Sequence, residues 1–123
     1  MMNFKDVFAN INDMPINKAL VERVQKRYKT EELPDEVKRV LSLHSEVTFY
    51  DDRPLLRGLA SHEVLRANED LDVDFIAQLL LPVFDTGDND YIVFDFSEQV
   101  WCLFNIVEEI KFKKTPDILT LIK

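Results

Sequence analysis

The N-terminal third of the chain spaces its apolar residues with the period of an α-helix. One stripe consists of Phe4, Val7, Phe8 and Ile11. A second stripe consists of Ile16, Ala19, Leu20, Val24 and Tyr28. A third follows Pro34 and consists of Val37, Val40, Leu41 and His44. Because positions i, i+3, i+4 and i+7 share one helical face, the pattern predicts three amphipathic helices. Pro34 suits the start of the third helix, since its missing N–H would be unsatisfied there anyway.

From residue 47 onward the pattern favours β-strands. Apolar and aromatic runs bounded by turn residues predict strands over residues 47–50, 55–60, 76–84, 91–96 and 99–105. Pro82 lies within one of these runs and is expected at an edge or a bulge, since it cannot donate a hydrogen bond to a sheet ladder. Short polar turns separate the strands, so neighbouring strands are expected to pair antiparallel.

Two further helices complete the pattern. Ser61 begins a helix that the apolar spacing carries to about Glu69. Thr115 begins a closing helix, whose inward residues are expected to be Ile118, Leu119 and Ile122. We predict one α+β domain over residues 1–123, with an antiparallel meander sheet flanked by N-terminal helices, one inserted helix and a C-terminal helix. Residues 1–29 form its N-terminal helical extension. No internal repeat is evident in the sequence.

The charge of the chain is unevenly distributed. The net charge is −8 over the 123 residues, but residues 51–110 hold three arginines against fourteen aspartates and glutamates, a net charge of −11. Such a field repels phosphate backbones, so we do not expect nucleic-acid binding. It would attract a basic protein. The alternative is that the acidity only keeps the domain soluble.

Other bulk features exclude several classes of protein. Cys102 is the sole cysteine, which rules out a disulfide within the chain, and it lies in an apolar run typical of a buried thiol. No apolar stretch approaches the ~20 residues of a membrane span. The first residues lack the basic region and apolar run of a secretory signal. We expect a cytoplasmic protein without membrane contact, either monomeric or weakly dimeric through an exposed strand edge or the first helix.

Four acids and two aromatic residues are the candidates for partner contact. Asp72 and Asp74 follow the inserted helix, where negative charge is unfavourable for the helix dipole, and Asp88 and Asp90 lie in a predicted turn. The remaining two candidates are Tyr91 and Trp101, which would anchor an interface if they faced solvent. Core positions are the alternative for both rings.

The sequence offers little for catalysis or metal binding. The acids between Asp85 and Asp95 lack the spacing of an EF-hand loop, and aspartates beside glycine usually form turns. The two histidines, His44 and His62, have neither metal-ligand spacing nor a neighbouring nucleophile motif. No glycine-rich phosphate loop is present. We therefore expect no cofactor, no metal and no enzymatic activity. The alternative is a small enzyme in which two of the carboxylates form a pair for acid–base catalysis.

Several short segments, taken in order, resemble a known family. They are Leu33-Pro34-Asp35-Glu36, Leu81-Pro82-Val83-Phe84-Asp85, Gly87-Asp88-Asn89-Asp90-Tyr91, Ile92-Val93-Phe94-Asp95, Gln99-Val100-Trp101 and Thr115-Pro116-Asp117-Ile118-Leu119. Their order and spacing over about residues 30–123 are similar to those of the SMI1/KNR4 (SUKH) superfamily.

This resemblance implies a binding module without catalysis. Bacterial members of the superfamily are mostly immunity proteins that neutralise polymorphic toxins, often nucleases, and fungal members are interaction hubs. We therefore expect an immunity protein that binds a basic toxin domain. Its carboxylates would mimic the phosphate backbone that a nuclease must attract. A general interaction scaffold is the alternative.

Overall fold

The computed structural model describes residues 11–13, 15–43, 50–52 and 55–122. Six strands form one antiparallel meander sheet in the order β1-β2-β3-β4-β5-β6. The strands are β1 (Tyr50–Asp52), β2 (Leu55–Gly58), β3 (Leu80–Asp85), β4 (Asp90–Asp95), β5 (Val100–Asn105) and β6 (Ile110–Thr115). The helices are α1 (Lys18–Tyr28), α2 (Asp35–Leu43), α3 (Ser61–Leu65), α4 (Ala67–Leu71) and α5 (Leu119–Ile122). The predicted α+β class and meander sheet are confirmed.

The first two described helices form where the apolar stripes predicted them. In α1 the Asn17 side chain caps the helix by accepting a hydrogen bond from the Leu20 N–H at 3.1 Å. The inward residues of α1 are Leu20, Val21, Val24 and Tyr28. Those of α2 are Val37, Val40, Leu41 and Leu43. Ala19 is exposed, in contrast to the expected stripe. The predicted helix over residues 4–11, apart from Ile11, and the inward position of His44 lie outside the described residues.

The last four strands repeat with a period of ten residues. They begin at Leu80, Asp90, Val100 and Ile110, and each is six residues long. The last residue of each strand accepts a hydrogen bond from the N–H two positions later: Asp85 from Gly87, Asp95 from Ser97, Asn105 from Val107 and Thr115 from Asp117. Such bonds initiate turns. The expectation of no internal repeat was therefore wrong.

A left-handed residue precedes each of these four strands. The φ angles are 58° for Leu79, 65° for Asn89, 58° for Gln99 and 54° for Glu109. Such a residue lets a short turn return the chain into the next strand. A non-glycine residue is strained there, because its Cβ approaches the following carbonyl oxygen. The chain has only two glycines and places neither at these positions.

Replacing Gln99 with glycine is therefore expected to stabilise the protein. Gln99 has φ 58°, and its side chain makes one exposed hydrogen bond, to the Phe96 carbonyl. Relief of the left-handed strain should exceed the loss of that bond, so we expect the free energy of unfolding to rise by about 0.5–1 kcal/mol. The midpoint of urea denaturation measures the change.

Gln99→Ala is the matched control for this substitution. Alanine also removes the amide bond but keeps a Cβ in the left-handed conformation. It should leave the protein less stable than Gln99→Gly by about 1 kcal/mol. Equal stability of the two variants would show that the backbone at this position is not strained.

Two bulges interrupt the regular ladders. Between Pro82 and Phe84 the register with β4 shifts, so Val83 is the extra residue, as expected for a proline inside a sheet. Between Trp101 and Leu103 the register with β6 shifts as well. The extra residue lies in β6, where Lys113 has φ 54°.

The sheet is covered on both faces. Trp101 and Phe104 lie an odd number of positions apart on β5, so their side chains point to opposite faces. The Trp101 indole donates a hydrogen bond to the Glu36 carboxylate of α2. The Phe104 ring lies 5.7 Å from the ring of Phe75, in the segment before β3. Helix α2 and that segment therefore cover opposite faces, which explains the nearly continuous burial of β3, β4 and β5.

The structure corrects several predicted boundaries. Strand β6 was not predicted at all, and β3 begins at Leu80 because the preceding residues form turns. The inserted helix is divided into α3 and α4, since Arg66 has φ −108° and ψ 13°. Asp51 and Asp52 belong to β1, in contrast to the predicted turn. In α5 Leu119 is 39% exposed, so it does not face inward.

Candidate functional site

The carboxylates of the acidic block fall into two groups. Side chains are described for twelve of its fourteen acids, all except Asp51 and Asp52. Six form ion pairs within the protein: Glu63, Glu69, Asp70, Asp85, Asp95 and Glu98. The other six have no cationic nitrogen within 4.0 Å among the described residues: Asp72, Asp74, Asp88, Asp90, Glu108 and Glu109. Half of the described acidic side chains of the block are thus paired with cations of the protein, and the other half are not.

Four of the acids without ion pairs lie at one end of the sheet. The turn between β3 and β4 carries Asp88, Asp90 is the first residue of β4, and the turn between β5 and β6 carries Glu108 and Glu109. The meander brings both turns to the same end. They are joined there, because the Ile106 N–H donates to the Asn89 carbonyl at 2.9 Å.

A side-chain hydrogen bond strengthens this junction. The Asn105 amide donates to the Asp90 carboxylate at 2.8 Å, and Asp90 faces Asn105 across the β4–β5 ladder. The Asn105 oxygen also accepts from the N–H groups of Val107 and Glu108 at 3.0 and 2.9 Å. One asparagine therefore fixes both turns relative to each other.

An exposed aliphatic side chain lies among these acids. Val107, at the tip of the β5–β6 turn, is 71% exposed, the largest exposed fraction among the large hydrophobic residues described. We call Asp88, Asp90, Val107, Glu108 and Glu109 the acidic end. It combines carboxylates that attract cations with an apolar side chain that a partner could cover.

Asp72 and Asp74 lie in the segment between α4 and β3. Asp72 is exposed at the C-terminal cap of α4, with φ 53°. Asp74 is also exposed, but its carboxylate accepts hydrogen bonds from the Asn68 amide at 2.9 Å and from the Ala77 N–H at 3.0 Å. Asp74 therefore stabilises the turns that lead into β3.

Tyr91 and Trp101 are not exposed partner contacts, and the alternative of core positions holds for both rings. Tyr91 is 7% exposed and Trp101 is 1% exposed. Trp101 packs edge-on against Phe94, with ring centroids 5.0 Å apart. Because both faces of the sheet are covered, the alternation of side chains along β4 and β5 presents neither ring to solvent. Both are core residues.

Tyr91 borders a compact polar cluster on β2 and β3. Arg57 donates to both oxygens of Glu63 at 2.8 Å and lies 3.5 Å from the Asp85 carboxylate. Burial, and then the Asp85 charge, raise the pKa of Tyr91. Burial alone would raise the pKa of Glu63, but hydrogen bonds from the Ala60 N–H and from Arg57 hold it below its usual value. The cluster fixes α3 against the sheet.

Asp95 and Lys111 form the most buried ion pair. Asp95 is fully buried, and its carboxylate accepts from the Lys111 ammonium at 2.8 Å and from the Ser97 N–H at 2.9 Å.

Cys102 is also buried, and burial raises the pKa of its thiol to about 11. A thiol with such a pKa is protonated and unreactive near neutral pH.

The described part of the chain holds neither a metal-ligand cluster nor a helix that could span a membrane. There, no three His, Cys, Asp or Glu side chains are grouped as a metal ion would require. None of the described helices is long and apolar enough to cross a bilayer.

Comparisons with protein-family models, with curated proteins and with solved structures found no match for this chain. The resemblance to the SUKH superfamily therefore remains a prediction.

Sequence reasoning identified Asp88 and Asp90 but did not single out Val107, Glu108 and Glu109. The similarity between the Asp95–Val100 and Asn105–Ile110 segments could have revealed a second hairpin turn. Each has Asp or Asn at the first position and one acidic residue three positions later. That pattern predicts a turn with exposed central residues.

Proposed function

We propose that this protein is a protein-binding module whose acidic end docks against a cationic surface of a partner protein. The observation that carries the proposal is the junction of the two turns. It holds four carboxylates without internal ion pairs beside an exposed valine. Desolvated apolar contacts with a charged rim are the usual composition of protein interfaces.

The finer proposal concerns the partner. The resemblance to the SUKH superfamily favours an immunity protein, and the acidic end suits a toxin with a basic nucleic-acid-binding cleft. Carboxylates spaced along two adjacent turns would occupy the positions that phosphates otherwise take. Long-range attraction would also accelerate the encounter, which benefits an antidote.

Reversing charge at the acidic end is expected to abolish protection against such a toxin. The double variant Asp88→Lys and Glu108→Lys should weaken binding by at least about a hundredfold, since each reversal replaces an attraction with a repulsion. The measurements are growth on co-expression with a candidate toxin that has a basic domain, and calorimetric binding of the purified pair at low and high salt.

The matched control reverses two exposed acids on another surface, Glu22→Lys and Glu31→Lys. It changes the net charge by the same amount and should retain binding within a few-fold. An equal loss of affinity in both double variants would show that binding depends on the net charge of the protein and not on the acidic end. Retained binding in the Asp88→Lys, Glu108→Lys variant would contradict the assignment of the acidic end.

A further inference from the structure

Strand β6 is an open edge of the sheet. It is the last strand in the order, and all six of its residues are at least partly exposed. Apart from its ladder to β5, residues 110–115 make no backbone–backbone hydrogen bond within the described part of the chain. An edge with unpaired N–H and C=O groups is a template for another strand.

The charge of β6 is opposite to that of the rest of the domain. It carries Lys111, Lys113 and Lys114 and no acid. Lys113 has no ion pair among the described residues. Lys114 pairs with Glu98 at 2.6 Å, but both side chains are more than 40% exposed. A surface pair of this kind contributes little and can exchange partners.

These lysines discriminate between the strands that could pair with β6. A second copy of β6 would place lysines opposite lysines, which destabilises a cross-strand pair. An acidic strand would place carboxylates opposite lysines. The exposed Ile110 precedes Lys111, and the half-buried Phe112 lies between Lys111 and Lys113; both offer apolar contact.

We propose that β6 binds an extended acidic segment of a partner protein by adding it as a further strand. Residues 110–112 pair regularly with β5, whereas the register shifts beyond them and Lys113 is left-handed. The added segment therefore forms backbone hydrogen bonds with residues 110–112 only, and Lys113 and Lys114 beyond them attract its carboxylates. This surface is distinct from the acidic end, so the inference does not depend on the proposed function.

The test uses a fluorescently labelled, N-acetylated octapeptide of alternating glutamate and valine. Fluorescence anisotropy should show saturable binding to the full-length protein. Lys113→Glu with Lys114→Glu should weaken that binding by about tenfold or more, because two lysines that attract the acidic peptide become glutamates that repel it. Lys111 is left intact because it pairs with the buried Asp95.

Two controls separate strand pairing from general attraction. Lys18→Glu with Lys26→Glu on α1 makes the same change in net charge and should alter the affinity by less than about twofold. The same peptide with every backbone amide methylated keeps its charge but has no N–H on either edge with which to pair as a strand, so it should not bind measurably. Equal binding of the methylated peptide, equal loss in both double variants, or a sedimenting dimer paired through β6 would overturn the proposal.

Discussion

Replacing Trp101 with alanine is expected to lower the free energy of unfolding by about 3–5 kcal/mol. The side chain is 1% exposed and packs against Phe94, with ring centroids 5.0 Å apart. Its removal leaves a cavity between the sheet and α2 that rigid neighbours can only partly fill. A loss of this size is a large part of the 5–15 kcal/mol typical of a whole domain.

The lost hydrogen bond to Glu36 should add little to this cost. Glu36 is exposed, so its carboxylate can return to water when the indole N–H is removed. Trp101→Phe keeps most of the packing and should cost only about 1–2 kcal/mol. The difference in unfolding free energy between the two variants therefore measures how much the packing of an aromatic ring at this position contributes to stability.

Urea denaturation followed by circular dichroism measures both changes. Trp101 is the only tryptophan, so its fluorescence in the unaltered protein also reports its environment. The emission should be blue-shifted in the folded state and move to longer wavelength on unfolding. Val107→Ala, at a side chain that is 71% exposed, is the control and should change stability by less than about 0.5 kcal/mol. An unchanged stability in Trp101→Ala would restore the exposed-anchor interpretation.

The predicted class of the fold is confirmed because most elements have an amphipathic or strongly apolar pattern. Helices α1 and α2 each bury one stripe, and β3, β4 and β5 are short apolar runs between turn residues. Such patterns depend on local sequence alone. The order of the last four strands follows as well, since four-residue turns join β3 to β4, β4 to β5 and β5 to β6. Helices α3 and α4 lie between β2 and β3, so the pairing of those two strands does not follow from a turn.

Strand β6 could not be predicted in the same way. Its sequence, Ile110 to Thr115, alternates apolar and polar residues only as far as Phe112 and then continues with two lysines. Lysine has a low preference for strands, and here the ladder to β5 imposes the extended conformation. The lysines suit an edge, where they discourage unwanted pairing.

The ten-residue repeat is visible at three strand ends, Val83-Phe84-Asp85, Val93-Phe94-Asp95 and Leu103-Phe104-Asn105, but it was missed because the fourth, Lys113-Lys114-Thr115, lacks the motif. The strand ends share a side-chain oxygen, on Asp85, Asp95, Asn105 and Thr115. The left-handed position holds a different residue each time and never glycine. Glycine is the usual indication of such a conformation, so its absence concealed the period.

The distribution of charge was predicted only in part. A block with net charge −11 is visible in the sequence, but its internal neutralisation depends on contacts between distant residues. Arg27 pairs with Glu69, 42 positions away, and Lys111 with Asp95, 16 positions away. Such pairs follow from the tertiary fold, so a count of charges overstates the free acidity. Asp72, Asp74 and the four carboxylates of the acidic end are the acids of this block that remain without an ion pair among the described residues.

Replacing Lys111 with methionine is expected to lower the free energy of unfolding by about 2–3 kcal/mol at pH 7. The substitution leaves Asp95, which is fully buried, without its cation. Breaking a buried pair by removing one partner usually costs about 3–5 kcal/mol. The Lys111 side chain is 35% exposed, so water reaches the pair and we expect a smaller effect. Urea denaturation at fixed pH measures the change.

The double variant Lys111→Met with Asp95→Asn is the control for this interpretation. Asparagine keeps an oxygen that can accept from the Ser97 N–H, so the turn between β4 and β5 should persist. Without a buried charge, the double variant should be more stable than Lys111→Met alone. If it is no more stable, the uncompensated charge of Asp95 does not explain the loss in Lys111→Met.

The pH dependence provides the sharper test. Burial opposes ionisation of Asp95, but hydrogen bonds from Lys111 and from the N–H groups of Ser97 and Glu98 hold its pKa below the usual 3.8. In the unaltered protein this group therefore stabilises the fold above pH 3.8, and its contribution is lost only as the pH falls through the lowered pKa.

In Lys111→Met the sign of that contribution reverses. Without the ammonium group, burial should raise the pKa of Asp95 above its unfolded value, so the protonated form stabilises the fold at low pH and that contribution is lost as the pH rises. The stability gap between Lys111→Met and the unaltered protein should therefore be widest near pH 7 and should narrow towards pH 4. A gap that is constant between these values would show that Asp95 is not the group left uncompensated.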